Sequence, residues 1–492
     1  MVSHGRQKKD TSTRRKPKKG GKEDTNSDDT IHDMDLPEDF SIAGASSSTY
    51  SLDANDLDDL DDGTTDDADA SEVRAEARQA KLLDALSLAS TLSSEKRTAK
   101  REAAYKVIFK CVTQYADGSA GREILETNGW VSLCEACMSS LRGGSGNASP
   151  AEQYAACRVI EACSVVLGED RDDVVEMWNE PLKKVVNATG RATQVRVAAL
   201  RCLSMIHFIC GTDCLEDQED CSAVMDLCEK VGAEKFRGEK VHPLLRAAAL
   251  DCWALLATTF HDARIAAGDA NDDTIALGRG LTLLPLLASC LESTDVGLRS
   301  SAGECVAYIH ECRLKLGLGE NEAENVTERR FRKGSWDGSE WEVLMDEVKQ
   351  RVAELSVESG HHMSKKTKKE QRAAFRDIMS TIVDDESPEE EVNFRGGKLS
   401  LTSWKEIIQL QFVRHCLQSG FQVQLMTNET LHDVFGAILS SAGSQGKSQL
   451  EKRLLMSKQS EASKAADRAM TKQRRTRNNV KNHFLTADGE DI

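Results

Sequence analysis

Five times along the chain, a pair of small residues is followed two positions later by an apolar pair. The instances are Ala103-Ala104-Tyr105-Lys106-Val107-Ile108, Ala155-Ala156-Cys157-Arg158-Val159-Ile160, Ala198-Ala199-Leu200-Arg201-Cys202-Leu203, Ala248-Ala249-Leu250-Asp251-Cys252-Trp253 and the weaker Ser301-Ala302-Gly303-Glu304-Cys305-Val306. Their starts are 52, 43, 50 and 53 residues apart. Unequal spacing of about 40–50 residues predicts degenerate helical-pair repeats of the HEAT or armadillo kind. Small residues let a helix lie close to its neighbours, and the later apolar positions form the stripe that faces the stack. One helical pair cannot close a core alone, so each is stabilised by stacking on the next. Intervening helices are predicted over residues 124–141, 174–186, 221–231 and 281–291, with polar loops at 142–150 and 262–273. The charged stretch 317–341 links the last repeat to a helix over 341–355. The repeat region is therefore placed at residues 95–358.

The flanks have other textures. Residues 1–94 read as a disordered tail, with a basic head (Lys8, Lys9, Arg14, Arg15, Lys16, Lys18, Lys19, Lys22) and nine aspartates between Asp53 and Asp69. Such a segment cannot bury enough apolar area to offset its ordering entropy. The basic head is either an import or nucleic-acid patch or a solvated tail. Residues 364–440 read as a small α+β module. Val392-Asn393-Phe394 and Lys398-Leu399-Ser400-Leu401 alternate around a turn at Arg395-Gly396-Gly397, which predicts a short hairpin. Ser403 and Glu406 form a capping box, and Trp404, Ile408, Phe412 and Cys416 fall on one helical face. Gly420 sits where that helix should stop, and Asn428 suits the N-cap of a last helix through Leu439.

Residues 447–484 are the most basic region. Between Lys447 and Lys481 stand eleven lysines and arginines against three acids, Glu451, Glu461 and Asp467. The segment lacks glycine and proline after Gly446 and is Ala-rich near 462–470, so it reads as a helical arm with no wide apolar face. Residues 485–492 read as a flexible tail. The whole chain has 492 residues and a formal net charge of −17, with only seven prolines and 5% aromatics, a balance that favours helices. The 15 cysteines sit singly inside apolar helical patterns, and no apolar leader opens the chain. Reduced thiols in a cytoplasmic or nuclear protein are the reading that fits. No 18-residue apolar run suggests a membrane span.

Candidate chemistry is sparse. Gly446-Lys447-Ser448 ends like a phosphate-binding loop, but Ser441 stands where its first glycine is needed. Cys134 and Cys137 have half of a zinc site's spacing without a second pair, which favours core packing. Cys210 and Cys214, one turn apart, read as wall residues, and His207, His261 and His310 read as structural. No catalytic motif, cofactor, metal site or small-molecule substrate is expected.

The cations on the ordered side form two candidate nucleic-acid elements: Lys365, Lys366, Lys368, Lys369, Arg372 and Arg376, and then Lys452, Arg453, Lys458, Lys464, Arg468, Lys472, Arg474, Arg475, Arg477 and Lys481. Clusters of this kind neutralise phosphates in a sequence-independent, salt-sensitive way. A run of further residues sharpens the picture: Phe375-Arg376-Asp377, Trp404, Ser419-Gly420-Phe421, Asn428-Glu429, Leu431 and Val434-Phe435. With the opening at residues 96–112, this run resembles the interferon-related developmental regulator family. The resemblance implies a non-enzymatic, mainly α protein with a helical-repeat solenoid and a C-terminal module. It also implies association with non-translating ribosomes, with the basic C-terminal helix in a ribosomal channel, or a role as a transcriptional co-regulator bridging chromatin-modifying complexes. The expected partners are the ribosome or its RNA, together with proteins on the solenoid surface. Residues 437–449 are Ser/Gly-rich here, a departure that bears on how the arm is aimed.

Overall fold

The structure is a computed structural model, and it describes residues 68–142, 148–211, 215–267, 277–317, 340–357, 365–394 and 397–436. Helices come in pairs. α1 (Ala68–Leu92) precedes α2 (Thr98–Tyr115), and α3 (Gly118–Asn128) and α4 (Trp130–Arg142) precede α5 (Pro150–Leu167). α6 (Asp172–Asn187) pairs with α7 (Thr193–Ile209), and α8 (Leu215–Gly232) with α9 (Pro243–Ala257) across a hairpin of β1 (Lys235–Phe236) and β2 (Glu239–Lys240). The short α10 (Asp262–Ala266) and α11 (Arg279–Leu291) lead to α12 (Val296–Gly317), and α13 (Glu340–Val357) to α14 (Lys365–Asp384). A second hairpin, β3 (Glu390–Phe394) and β4 (Gly397–Leu401), is followed by α15 (Trp404–Leu417), a 3-10 turn, α16 (Phe421–Thr427) and α17 (Glu429–Phe435).

The five small-residue pairs fall on α2, α5, α7, α9 and α12, and these helices stack in that order to form an inner layer. α14 continues the layer against α12. It carries a sixth pair, Ala373-Ala374, two positions before Arg376. The outer layer is α1, α4, α6, α8, α11 and α13, each packed on its inner partner. This is the predicted mainly α solenoid, with a small antiparallel sheet near its C-terminal end. Every described residue lies in one compact unit that spans residues 41–492.

Several boundaries differ from the sequence reading. The tail boundary near residue 94 falls too late, because the chain is helical from Ala68. Leu82, Ala85, Leu86, Ala89 and Leu92 recur at helical spacing and are buried, which ties α1 to the stack. The single helix expected over 124–141 breaks at Gly129 into α3 and α4. The loop expected at 262–273 begins with α10, capped by His261, whose Nδ1 accepts from Ala263 N at 3.2 Å. The helix start at Ser403 is as expected: its hydroxyl accepts from Glu406 N at 3.2 Å, while the Glu406 carboxylate accepts from Thr402 N at 2.8 Å. Asn428 caps α17 through Leu431 N. Gly436, in the left-handed region, follows that helix, and Leu439 lies outside the described residues.

Gly420 has a different role from the helix stop assigned to it. α15 ends at Leu417, and Gln418 takes the positive φ of 49°. Gly420 instead lies against α2, where a Cβ would meet the Thr113 carbonyl oxygen at 2.5 Å.

Candidate functional surface: a solenoid filled by its own chain

The central inner helices α5, α7, α9 and α12 are buried almost all round, whereas α2 at the early end of the stack leaves Val107 exposed. From Ala155 to Leu167 on α5, and from Leu298 to Cys312 on α12, no residue is left open to solvent. One side is covered by the outer helices. The other is covered by α15, which packs on α5, α9 and α12. A helix apolar on one stripe would leave its polar face in water, but Ile407 through Leu417 are all buried. Gln409, Gln411, Arg414 and His415 therefore need partners inside the protein. α15 runs back along the stack from α12 towards α5 and meets polar groups on the way, though Gln411 Oε1 has no hydrogen-bond partner among the described residues. Glu311 on α12 accepts from Trp404 N at 2.5 Å. Trp404 Nε1 donates to Thr381 Oγ1 on α14 at 2.8 Å. Gln409 Nε2 donates to Thr258 Oγ1 at 3.0 Å, and Arg414 reaches back to Glu390 at 2.6 Å.

The C-terminal end of α15 is held by two buried arginines. Arg158 Nη2 donates to the His415 and Cys416 carbonyls at 2.7 and 2.9 Å, and its Nη1 pairs with Glu161. A carboxylate at the helix start and a guanidinium at its end complement the helix dipole. Burial is the largest single influence and opposes the Arg158 charge, but Glu161, Tyr154 and Cys416 together outweigh it and hold the pKa above the ordinary arginine value. Arg201 Nη1 lies 3.0 Å from His415 Nε2. An arginine can only donate, so that nitrogen accepts and Nδ1 carries the proton. Burial, then Arg201 and Arg158, push the His415 pKa well below its usual value, so the ring is neutral.

The chain then continues along α2 and α5. Gln114 Nε2 donates to Ser419 Oγ at 2.9 Å, and Gln424 Nε2 donates to the Thr113 and Ala116 carbonyls at 3.2 and 2.7 Å. Asn428 Nδ2 donates to the Val165 carbonyl at 2.8 Å. The segment expected as a module on the solenoid is instead threaded through its inner face.

The residues singled out from sequence fare unevenly. Lys365, Lys366, Lys368 and Lys369 lie on the first turns of α14, followed by the half-buried Arg372 and the exposed Arg376. The arm cations from Lys452 to Lys481 lie outside the described residues. Cys134 and Cys137 are core residues of α4, and burial raises the Cys134 thiol to about 12. Cys210 is buried at the end of α7, and Cys214 lies outside the described residues. His207 pairs with Asn179 at 3.3 Å and His310 with Asp385 at 3.1 Å, as structural residues should. Among the described residues, no group of three potential ligands could hold a metal ion, and no helix is long and apolar enough to cross a membrane. Sequence reasoning missed the β1–β2 hairpin, whose signal is the single turn residue Gly238 between charged neighbours.

Comparison with known proteins places the chain. The family profile described as interferon-related developmental regulator (IFRD) matches residues 41–383. That span ends one residue before the end of α14, so it covers the helical pairs and stops short of α15. Of the residues that carry the resemblance, the opening at 96–112 and Phe375-Arg376-Asp377 lie inside that span, and those from Trp404 onwards lie beyond it. The chain is 25% identical over 294 residues to interferon-related developmental regulator 1 of Mus musculus, covering 58% of each chain. It is 24% identical to the Homo sapiens protein of that name, over 58% of this chain and 57% of the other. It is 27% identical over 315 residues to interferon-related developmental regulator 2 of Mus musculus, over 62% of this chain and 63% of that one. The matches thus span under two thirds of these relatives' own lengths.

Proposed function

The chain belongs to the interferon-related developmental regulator family, and from that premise we propose that it is a non-enzymatic regulator that binds ribosomes through ribosomal RNA and silences translation. The observation that carries this reading is the charge of residues 447–481, eleven cations against three acids directly after a segment folded into the solenoid. An arm with cations throughout and no wide apolar face gains little from packing on protein. It gains much from a channel walled by phosphates, where counterion release drives binding and ordering. The arm occupies such a channel and excludes mRNA or tRNA. The solenoid, with its own C-terminal chain fixed inside it, is the rigid base from which the arm extends.

Co-sedimentation with purified ribosomes through sucrose gradients tests the reading. Full-length protein should sediment with ribosomes at moderate salt, and a truncation after Gly436 should not. Arg474→Gln/Arg475→Gln/Arg477→Gln should lower the slope of log affinity against log salt by about 2–3. Equal binding by full-length and truncated protein would remove the arm from the mechanism. The second reading, a nuclear co-regulator scaffold that recruits chromatin-modifying complexes, needs an open binding face. With α15 seated on the inner layer, such partners would have to meet the outer helices.

A further inference from the structure

We propose that the β1–β2 hairpin and the last turn of α6 form a second polyanion contact, a cleft for the phosphate backbone of RNA on the solenoid itself. It rests on the reading that the chain engages RNA, and it assigns part of that contact to the solenoid.

The cleft holds about 460 Å³ and is lined by Glu180, Lys183, Lys184, Asn187, Ala188 and Arg237. Two features of the hairpin work against its own stability. Arg237 and Gly238, the two corner residues, have φ of 53° and 85°. Such a turn favours Asn-Gly or Asp-Gly, and a left-handed non-glycine costs about 1–2 kcal/mol. Lys235 is registered opposite Lys240, and both are exposed. Like charges directly opposite each other on a sheet destabilise it. Both features put positive charge on the hairpin, and strain of this sort tends to mark functional sites.

The hairpin is held firmly. Phe236 is buried, with the Arg196 guanidinium 5.9 Å and the Arg237 guanidinium 5.5 Å from its ring centre. Arg196 Nε donates to the Val186 carbonyl at 2.9 Å, which ties the start of α7 to the end of α6. Its Nη2 has no hydrogen-bond partner among the described residues. Three acids are nearby. Glu180 lies 3.9 Å from Lys183, Glu239 accepts from Thr189 at 3.3 Å, and Glu234 precedes β1. They leave Lys184, Lys235, Arg237 and Lys240 without an ion pair among the described residues.

The chemistry of the lining selects the occupant. It has no aromatic ring and no large apolar side chain with which to hold a peptide, and Phe236 is covered. Point cations on two rigid elements suit phosphates, which they bind without reading bases.

The test uses the full-length chain and a fluorescently labelled RNA duplex, titrated over a range of KCl concentrations. Lys184→Gln/Arg237→Gly/Lys240→Gln should melt no lower than the parent, because it relieves both the positive φ and the paired lysines. Its salt slope should fall by about 2–3, with a further fall when the three arm arginines are also neutralised. Lys184→Glu alone should weaken binding in the same direction. An unchanged slope in the hairpin variant, beside a reduced one in the arm variant, overturns this proposal and leaves the arm reading standing. No RNA binding by the parent chain overturns both. Loss of binding to an acidic phosphopeptide with RNA binding intact also overturns it, because the cleft would then serve a protein.

Discussion

Arg158→Met tests whether the C-terminal chain is fixed in the inner layer by the contacts seen there. Arg158 is 5% exposed, and its guanidinium sits 5.2 Å from the centre of the Phe109 ring. It makes three attachments: one to Glu161 and two to the closing carbonyls of α15. Methionine keeps much of the stem's volume, so the loss is mainly electrostatic. Each hydrogen bond from a charged donor contributes about 1.5–3 kcal/mol. Removing one partner of a buried ion pair typically costs about 3–5 kcal/mol, because the other charge is stranded. Glu161 is fully buried and its pKa is already raised by burial, with Arg158 the strongest influence opposing that rise. The stranded carboxylate would therefore take up a proton, and that holds the total near 3–5 kcal/mol rather than above it.

Urea denaturation at neutral pH measures the change through the midpoint, with the slope m as a check that the unfolded state is unaltered. Arg158→Met/Glu161→Gln should recover part of the loss, because the pair is then removed rather than broken. Amide exchange in Trp404–Leu417 should accelerate more than in α9. A cost below about 1 kcal/mol, with exchange in α15 unchanged, would refute the clamp.

Two further outcomes follow from the same contacts. Gly420→Ala should destabilise by about 1–3 kcal/mol in a thermal melt, since the new methyl group collides with α2 backbone at Thr113 and neither side can yield; an unchanged melting temperature would mean that the turn does not sit against α2. His415 should make stability fall on acidification. Its folded pKa is depressed, so below about pH 6.5 the unfolded chain binds a proton that the folded chain refuses. The parent should therefore lose up to about 1.4 kcal/mol per pH unit more than His415→Gln, levelling off below the folded pKa. A parent that gained stability on acidification relative to that variant would have the wrong sign.

How much of this was legible depends on how far apart the partners lie. The five small-residue pairs are local signals, and all five name inner helices. A sixth, Ala373-Ala374, stands 72 positions after Ser301, outside the spacing of the other five, and falls in the stretch 364–440 that reads as a separate module. α15 was legible as a helix, through Ser403 and Glu406, but not as a buried one. Gln409, Gln411, Arg414 and His415 look like a solvated face in sequence. Two of their partners, Thr258 and Arg201, stand 151 and 214 positions away. The cap at Asn428 was visible, whereas its second bond, to the Val165 carbonyl, was not.

The direction in which the C-terminal chain runs decides what the cations can reach together. α14, with Lys365 to Arg376, packs on α12 and α13 at the late end of the stack. α15 then carries the chain back, and Asn428 is bonded to the end of α5, so Gly436 follows α17 at the early end. The basic turns of α14 and the last described residue, Gly436, therefore lie at opposite ends of the inner layer. The hairpin at 235–240 lies between α8 and α9, intermediate in the stack. A polyanion that reached from Gly436 to α14 would have to run the length of the inner layer. A short RNA should then sense the arm alone, and only an extended one should add the contributions of the hairpin and α14. The difference would appear as a salt slope that rises with RNA length.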